Sequence, residues 1–411
     1  MESIEAKQQS PPVRPSASRD LTWKKAGRDG GTYSIEEIRD PALLNQRQEE
    51  WQRLASCTTD PNPFYEPWFF LPAVEHLGEN EQWRILLVSR TPEKKGGAAE
   101  LCGFFPLIEK RLYGWLPQWS LWQNQFCFLT SPLVKKDHIA DVWNAVLRYV
   151  QEVRPKVQML EFPVIAGEGA IHHGLTMVLR EHLSTTYVPD QYVRAITTCQ
   201  GDVDAYFKNA LGGHHVREYR RCRRKLEALG QLEYRQVSDS RNVGCWVDWF
   251  LDLEAQGWKA RAGTAMKLHP RESEFFRTMV QRGFDEGRVR LEGLFLNGEP
   301  IALKCILLAC PTAFAFKIAF DEKYHSFSPG VQLEFESLQH LVTIPGITSS
   351  DSCAVAGHQM IDRLWTERRL VRSLIVSTGH LTGDVVLGAL PLLRSVKRNL
   401  RRRKTKESTQ T

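Results

Sequence analysis

The spacing of apolar and polar positions switches repeatedly along the chain, from the two-residue repeat of half-buried strands to the three-to-four-residue repeat of helices. In the first half this predicts a strand at Tyr33–Ile38, helices at Leu44–Leu54 and Phe64–Leu77, and strands at Trp83–Arg90 and Leu101–Leu107. A strand near Gln118–Trp122, a helix over Ile139–Val153, a strand at Val157–Phe162 and a helix around Ile171–His182 follow. The second half repeats the order: strand Leu232–Val237, helices Val243–Gln256 and Arg271–Phe284, then strands Arg288–Leu296 and Ile301–Leu308. It continues with strand Ala313–Asp321, helix Gly330–Leu341, strand Ser349–Cys353, helix Gln359–Trp365 and strand Val371–Ser377. Matching elements stay about two hundred residues apart, as duplication of one unit requires. Two tandem α/β domains, each with a mixed central sheet flanked by helices, are the expected architecture.

Asn297-Gly298 between the strands at 288–296 and 301–308 supplies the two positive φ angles of a type I′ hairpin turn. The repeat places the domain boundary near Gln200–Asp204, giving units at 32–200 and 201–392. Residues 1–31, rich in Gln, Ser, Pro and charge, read as a leader outside the fold, and residues 393–411 as a basic disordered tail.

Composition narrows the class. At 411 residues with 42% hydrophobic and 25% charged positions, the chain has the balance of a soluble globular protein of two domains. Its greasiest stretch, Ile301–Phe320, is broken by Lys304 and Lys317, and the N-terminus builds no apolar signal core. A cytoplasmic address follows. Nine cysteines, an odd number without a C-x-x-C pair, read as buried free thiols. The net charge of +6 gathers at Arg217–Lys225 and Arg394–Lys406.

Three segments carry candidate chemistry. Phe316-Lys-Ile-Ala-Phe-Asp-Glu-Lys-Tyr-His-Ser-Phe-Ser-Pro-Gly330 runs from a strand through a polar loop into a helix, whose first free amides form an anion site. Pro329 suits a helix start and Gly330 permits close approach to the main chain, although an ordinary strand-to-helix loop has the same pattern. Phe250–Ala265 holds a helix that Gly257 ends, after which Trp258, Lys259 and Arg261 project towards an acceptor, or only pack and solvate. Val216–Gly230 is a helix with Tyr219, Cys222, Leu226 and Leu229 on one stripe and six basic residues in the nine from Arg217. That face suits phosphates, an acidic saccharide or RNA, and equally plain solvent.

Taken together, Arg-x-x-x-Arg with Leu-x-x-x-Gly, then Leu-Glu-x-x-Gly-Trp-Lys-x-Arg-x-Gly-Thr-Ala, then Lys-x-x-x-Asp-x-x-Tyr-x-x-x-Ser-Pro-Gly resemble the CelD-type acetyltransferase family. That family is associated with cellulose and exopolysaccharide biosynthesis and is related to the Fem peptidyltransferases, which are tandem GNAT folds. The likeness covers about Asp204–Thr378, with a weaker one over Thr32–Thr198. It implies two GNAT domains and transfer of an acetyl or acyl group from acyl-CoA to an amine or hydroxyl of a saccharide or other small acceptor. It places the thioester near Phe316, Lys317, Ile318 and Ala319, and the phosphate arm at Ser328, Pro329, Gly330 and Val331. The acceptor falls to Arg217, Arg221, Trp258, Lys259 and Arg261, with Glu254 or Asp321 as base, Tyr324 as acid and an N–H near Ile318 on the carbonyl oxygen.

Only Gly330 stands where the wider superfamily carries several glycines, which leaves aminoacyl-tRNA, the donor of the Fem relatives, as an alternative. The matching first-half loop, Gln123–Pro132, lacks Ser-Pro-Gly and is given a structural or acceptor-binding role. No G-x-S-x-G, Walker A or G-x-G-x-x-G motif occurs. His172-His173 and His214-His215 lack zinc-like partners, so no metal is expected. The rival class is a degenerate pair that binds polyanions. Its tail has eight basic residues and no acid between Arg394 and Lys406, enough for weak contact with a polyanion or the inner membrane face.

Overall fold

The computed structural model describes residues 23–93, 97–198 and 201–391. Its first half contains β1 (Trp23–Ala26), β2 (Thr32–Ile38), α1 (Gln48–Ser56), α2 (Pro67–Leu77), β3 (Trp83–Thr91), β4 (Glu100–Leu112) and β5 (Leu116–Leu121). After these come β6 (Leu133–Val134), α3 (Ile139–Val153), β7 (Met159–Ala166), α4 (Ala170–Glu181), β8 (Thr186–Tyr187) and β9 (Gln191–Thr198). The second half contains α5 (Val203–Glu227), β10 (Leu232–Gln236), α6 (Val243–Gln256), α7 (Trp258–Arg261), α8 (Pro270–Asp285), β11 (Val289–Leu296), β12 (Glu299–Ala309) and β13 (Thr312–Phe320). It ends with α9 (Pro329–Leu341), β14 (Ser349–Asp351), α10 (Ile361–Leu364), β15 (Glu367–Ser377) and a helix, α11, over residues 381–391.

Local chemistry explains the strongest elements. Helix α3 buries Val142, Trp143, Val146, Leu147 and Val150, the i, i+3, i+4 pattern of one apolar face. Asn297 (φ 53) and Gly298 (φ 86) adopt the two left-handed conformations of the β11–β12 turn. Helix α8 starts on Pro270, whose missing N–H would have had no helical acceptor.

All fifteen strands share one mixed sheet. Strands β2, β3, β4, β5 and β7 recur as β10, β11, β12, β13 and β14, each set ending in a parallel pair, β5 with β7 and β13 with β14. The last strand of each half crosses over. Strand β15, from the end of the chain, completes the first half beside β7, while β9 completes the second half beside β14, and the two lie antiparallel to each other. Where they meet, the buried carboxylate of Asp351 takes Arg194 at 3.3 Å, Arg369 at 3.2 Å and the amide of Cys353 at 2.8 Å.

Aromatic rings form the seam between the halves. Phe69 on α2 meets Phe275 on α8 at 5.4 Å and Phe316 on β13 at 5.8 Å, and Phe126 stacks on Phe275 at 5.2 Å. Each such pair adds about 0.5–1.5 kcal/mol beyond its buried area.

Two expectations are corrected. Trp23–Ala26, expected in the leader, pair with β2 because Trp23 packs on Tyr149 and Glu152 accepts from both Trp23 and Lys25. The rest of the leader before Trp23 and the tail beyond residue 391 lie outside the described residues. The helical run that opens at Val203, capped by Asp202, breaks at Gly212 (φ 73, ψ 160), and the basic helix is the second segment, which follows this kink. Leu229 lies beyond its end and is 51% exposed rather than on the buried stripe.

Candidate functional site

Strand β13 positions the site. It pairs with β12 as far as Phe320, but its contact with parallel β14 covers only Thr312–Phe314. Among the described residues the second edge of 315–320 therefore has no neighbouring strand, and its main-chain groups stand outside the sheet ladder. A β-bulge at Phe316, between the pairs Ile306–Ala315 and Cys305–Lys317, breaks the strict alternation of faces. Phe316 and Lys317 consequently both meet the layer formed by α6, α8 and the first half: Phe316 reaches Phe276, and Lys317 reaches Glu254.

Around Lys317 lies a partly buried charge cluster. Its Nζ is 3.6 Å from Glu254 Oε1 and 4.8 Å above the ring of Phe126. Glu254, in the last turn of α6 and 3% exposed, also accepts from Lys259 Nζ at 2.6 Å and from the amide of Met266 at 2.9 Å. Burial alone would raise the Glu254 carboxyl, but the ammonium groups of Lys317 and Lys259 outweigh it and hold it below its usual value. Burial brings Lys317 down to about 8, against the opposing pull of Glu254. Glu272, in the first turn of α8, is raised by burial and accepts from Gln125 of the first half at 2.8 Å. Gln125 and Phe126 lie in the loop Gln123–Pro132, expected to have a structural or acceptor-binding role, whereas Glu272 had no sequence signal beyond an ordinary helix-start acid.

A narrow gap of about 30 Å³ opens beside this cluster between α6, α7 and β13, lined by Glu254, Trp258, Lys259, Ile318 and Phe320. Ile318 and Phe320 are also the nearest neighbours of Gly330, so the gap and the first turn of α9 share one wall. On the other side of that turn is a cavity of about 410 Å³ lined by Tyr219, Cys222, Ser328, Val331, Gln332 and Met360, among others. No side chain caps α9; Ser328 stands before it in a left-handed conformation (φ 51), followed by Pro329. A Cβ on Gly330 would meet its neighbours at ordinary distances of 3.5–3.8 Å, so the fold itself does not demand glycine there.

The structure thus brings together Glu254, Lys259, Lys317, Ile318, Ala319, Gly330 and Trp258. Other expected site residues are redirected. Phe316 is 4% exposed and belongs to the aromatic seam, so its ring is core rather than cofactor surface. Asp321 accepts from the amide of Lys323 at 2.8 Å as the cap of the turn at 322–327. Tyr324 packs partly buried against the cluster of Leu226, Leu294 and Leu333, with the Lys323 ammonium 5.3 Å from its ring. Arg261 binds Glu322 at 2.8 Å, and Glu322 also holds the amide of Trp258, so Arg261 anchors α7 instead of reaching into the gap. Trp258 itself is 57% exposed at the lip. Arg217 and Arg221 stand on the outer face of α5, where Arg221 pairs with Glu218.

The first-half counterpart of the donor loop is occupied by protein. Phe126 fills the seam, while the main-chain oxygens of Leu129 and Ser131 accept from the buried amide of Asn62 at 3.1 and 2.7 Å. Among the described residues, one trio, Glu100, Cys102 and His138, brings candidate ligand atoms within 4.8 Å of one another. Lys135 pairs with its carboxylate and Tyr33 with its imidazole.

The sheet is duplicated, and its second half holds a short parallel pair, a bulged strand and a helix start without a side-chain cap. Residues 213–356 match the sequence profile of the acetyltransferase (GNAT) domain, so the second half carries a domain of that kind. The crystal structure of FemX superposes with a TM-score of 0.52 at 10% identity, covering 80% of this chain and 95% of that one. The C-terminal domain of a putative lysylphosphatidylglycerol synthetase from Agrobacterium fabrum gives 0.49 at 12% identity, covering 85% and 96%. A tandem GNAT protein from the clavulanic acid biosynthesis pathway gives 0.42 at 13% identity, covering 84% and 99%. No curated protein matches in sequence. Among the described residues no helix is long and apolar enough to cross a membrane.

Proposed function

We propose that this chain is an acyltransferase of the CelD type, moving an acetyl or other acyl group from acyl-CoA to an amine or hydroxyl of a saccharide or its precursor. The observation that carries the reading is the open edge of β13 running to the uncapped first turn of α9, with a cavity reaching that turn. The phosphate arm meets the amides of Gly330 and Val331, and the thioester lies along Ile318 and Ala319. The acceptor enters past Trp258, whose exposed ring offers a face to a sugar. Lys259 and Glu272 give it polar contacts, and the first half closes the far wall through Gln125 and Phe126. In this reading only the second half, 201–392, binds donor, and the half spanning 32–200 shapes the acceptor side.

The acceptor's nitrogen or oxygen attacks the thioester carbon, the carbon–sulfur bond breaks, and the thiolate leaves. A strand amide near Ile318 and the Lys317 ammonium stabilise the developing oxyanion. At about 8, Lys317 lies close to the range of a thiol, so it passes its proton to the departing sulfur and regains the one shed by the acceptor. Glu254, with its lone pairs engaged by Lys259 and Met266, is a weak base and positions the two lysines. An aminoacyl-tRNA donor is the second reading, favoured by the groove of about 560 Å³ along α5 lined by Arg217, Arg220, Arg221 and Arg224.

Mass spectrometry of incubations containing acetyl-CoA and a panel of amino sugars tests the reading. A product heavier than its acceptor by one acetyl group, absent for Lys317→Met, supports it. Transfer from aminoacyl-tRNA alone would shift the donor assignment to the second reading.

A further inference from the structure

We infer that the tip of the β4–β5 hairpin and the outer face of α11 form a docking surface for an anionic lipid bilayer. At the tip, Tyr113 and Trp115 are 64% and 55% exposed, flanked by the exposed side chains of Lys110 and Arg111. Tyr113 is held at φ 53, a conformation unfavourable for a bulky residue, while most of its surface faces solvent.

The hairpin and α11 are one unit. Leu112 and Leu116, which close the tip, share an apolar cluster with Leu387, Leu390 and Val386 of α11. Those residues use the inner side of the helix. Its outer side carries Leu381 at 79% exposure and Val385 at 62%, one turn apart, and Asp384 is the one charged residue between 381 and 391. A helix apolar on both sides at a protein surface requires a second apolar medium. At eleven residues, about 16 Å long, the described helix is far too short to span a bilayer and suits lying on one.

Charge selects the occupant. Directly after α11 the sequence runs to eight basic residues between Arg394 and Lys406 with no acid. Two nearby acids are engaged: Glu109 holds Arg84 at 2.8 Å, and Glu161 pairs with Lys110 at 3.7 Å. Interfacial aromatics, exposed aliphatics and a following polybasic stretch together match an anionic headgroup layer, where each basic residue adds about 1 kcal/mol. A second copy of the chain would bring the same positive charge against itself.

Co-sedimentation of the full chain with phosphatidylcholine vesicles, with and without phosphatidylglycerol, provides the test. Binding is expected only with the anionic lipid, weakening with salt. Trp115→Ala and Val385→Asp should each lower the partition coefficient about tenfold while leaving the melting temperature unchanged, since both side chains are exposed. Equal binding to neutral vesicles, or binding that neither substitution weakens, would overturn the assignment. So would a concentration-dependent doubling of mass abolished by Val385→Asp without vesicle binding, because the face would then belong to a second copy.

Discussion

Replacing Lys317 by methionine separates the chemistry of the site from its contribution to the fold. The lysine is held at about 8 instead of 10.5 because burial outweighs the attraction of Glu254 at 3.6 Å. That displacement corresponds to about 3 kcal/mol carried by the folded state whenever the lysine is protonated in both states. Between pH 8 and 10.5 the unfolded chain retains the proton while the folded chain has lost it, so stability rises with pH in that window. Below pH 8 the cost is borne in full. Methionine fills a similar volume without charge, but Glu254 then keeps only Lys259 and the Met266 amide. Lys317→Met should therefore be about 1–2 kcal/mol more stable at pH 7, with the gain fading towards pH 10.5. Activity should move oppositely, with kcat falling about 10²–10³-fold as the oxyanion loses its cation. Urea unfolding at pH 7 and 10, together with thiol release from acetyl-CoA, reads both. A variant with undiminished thiol release, or one destabilised at pH 7, would refute the reasoning.

Glu254→Gln leaves two ammonium groups facing a neutral amide and should cost about 2–3 kcal/mol in denaturant unfolding, less than a fully buried pair because Lys259 is 25% exposed. Because the carboxyl is held below its usual value, the parent's advantage exists above the ordinary carboxylate range and closes as acid protonates it, which the same measurement at low pH checks. Asp351→Asn, at the meeting of the exchanged strands, should lower stability by about 3–5 kcal/mol, since Arg194 would stay buried without its counter-charge. Gly330→Ala has room at 3.5–3.8 Å and should leave the melting temperature equal or higher, while weakening acetyl-CoA binding measured by calorimetry about tenfold.

Much of the second half was legible because its pattern and its turn chemistry agree. Helix α6 runs over Val243–Gln256 as its apolar spacing predicts, and Asn297-Gly298 fixes the register of β11 and β12. The strand exchange was not legible. Gln191–Thr198 has the β-branched content of a strand, but its position between β15 and β14 depends on residues about 150 to 180 positions away. Phe316 shows the same limit at the site: in an alternating strand it and Lys317 would face opposite sides, and only the bulge brings both to one. Gly330 stands at the helix start as expected, yet the space around its Cα shows that protein packing does not explain the choice of glycine. Glu254, Lys259 and Lys317 were visible as charged residues in two segments, Phe250–Ala265 and Phe316–Gly330. Their convergence required α6, α7 and β13 to close on one another around the first half's Phe126.

The central claim is that the start of α9 receives the phosphate arm of an acyl donor. Calorimetric titration of the full chain with acetyl-CoA addresses it most directly, with one site expected, competition by free CoA, and a melting temperature that climbs with ligand concentration. Absence of heat and of any thermal stabilisation at millimolar acetyl-CoA, in a sample that is folded and monodisperse, would contradict it.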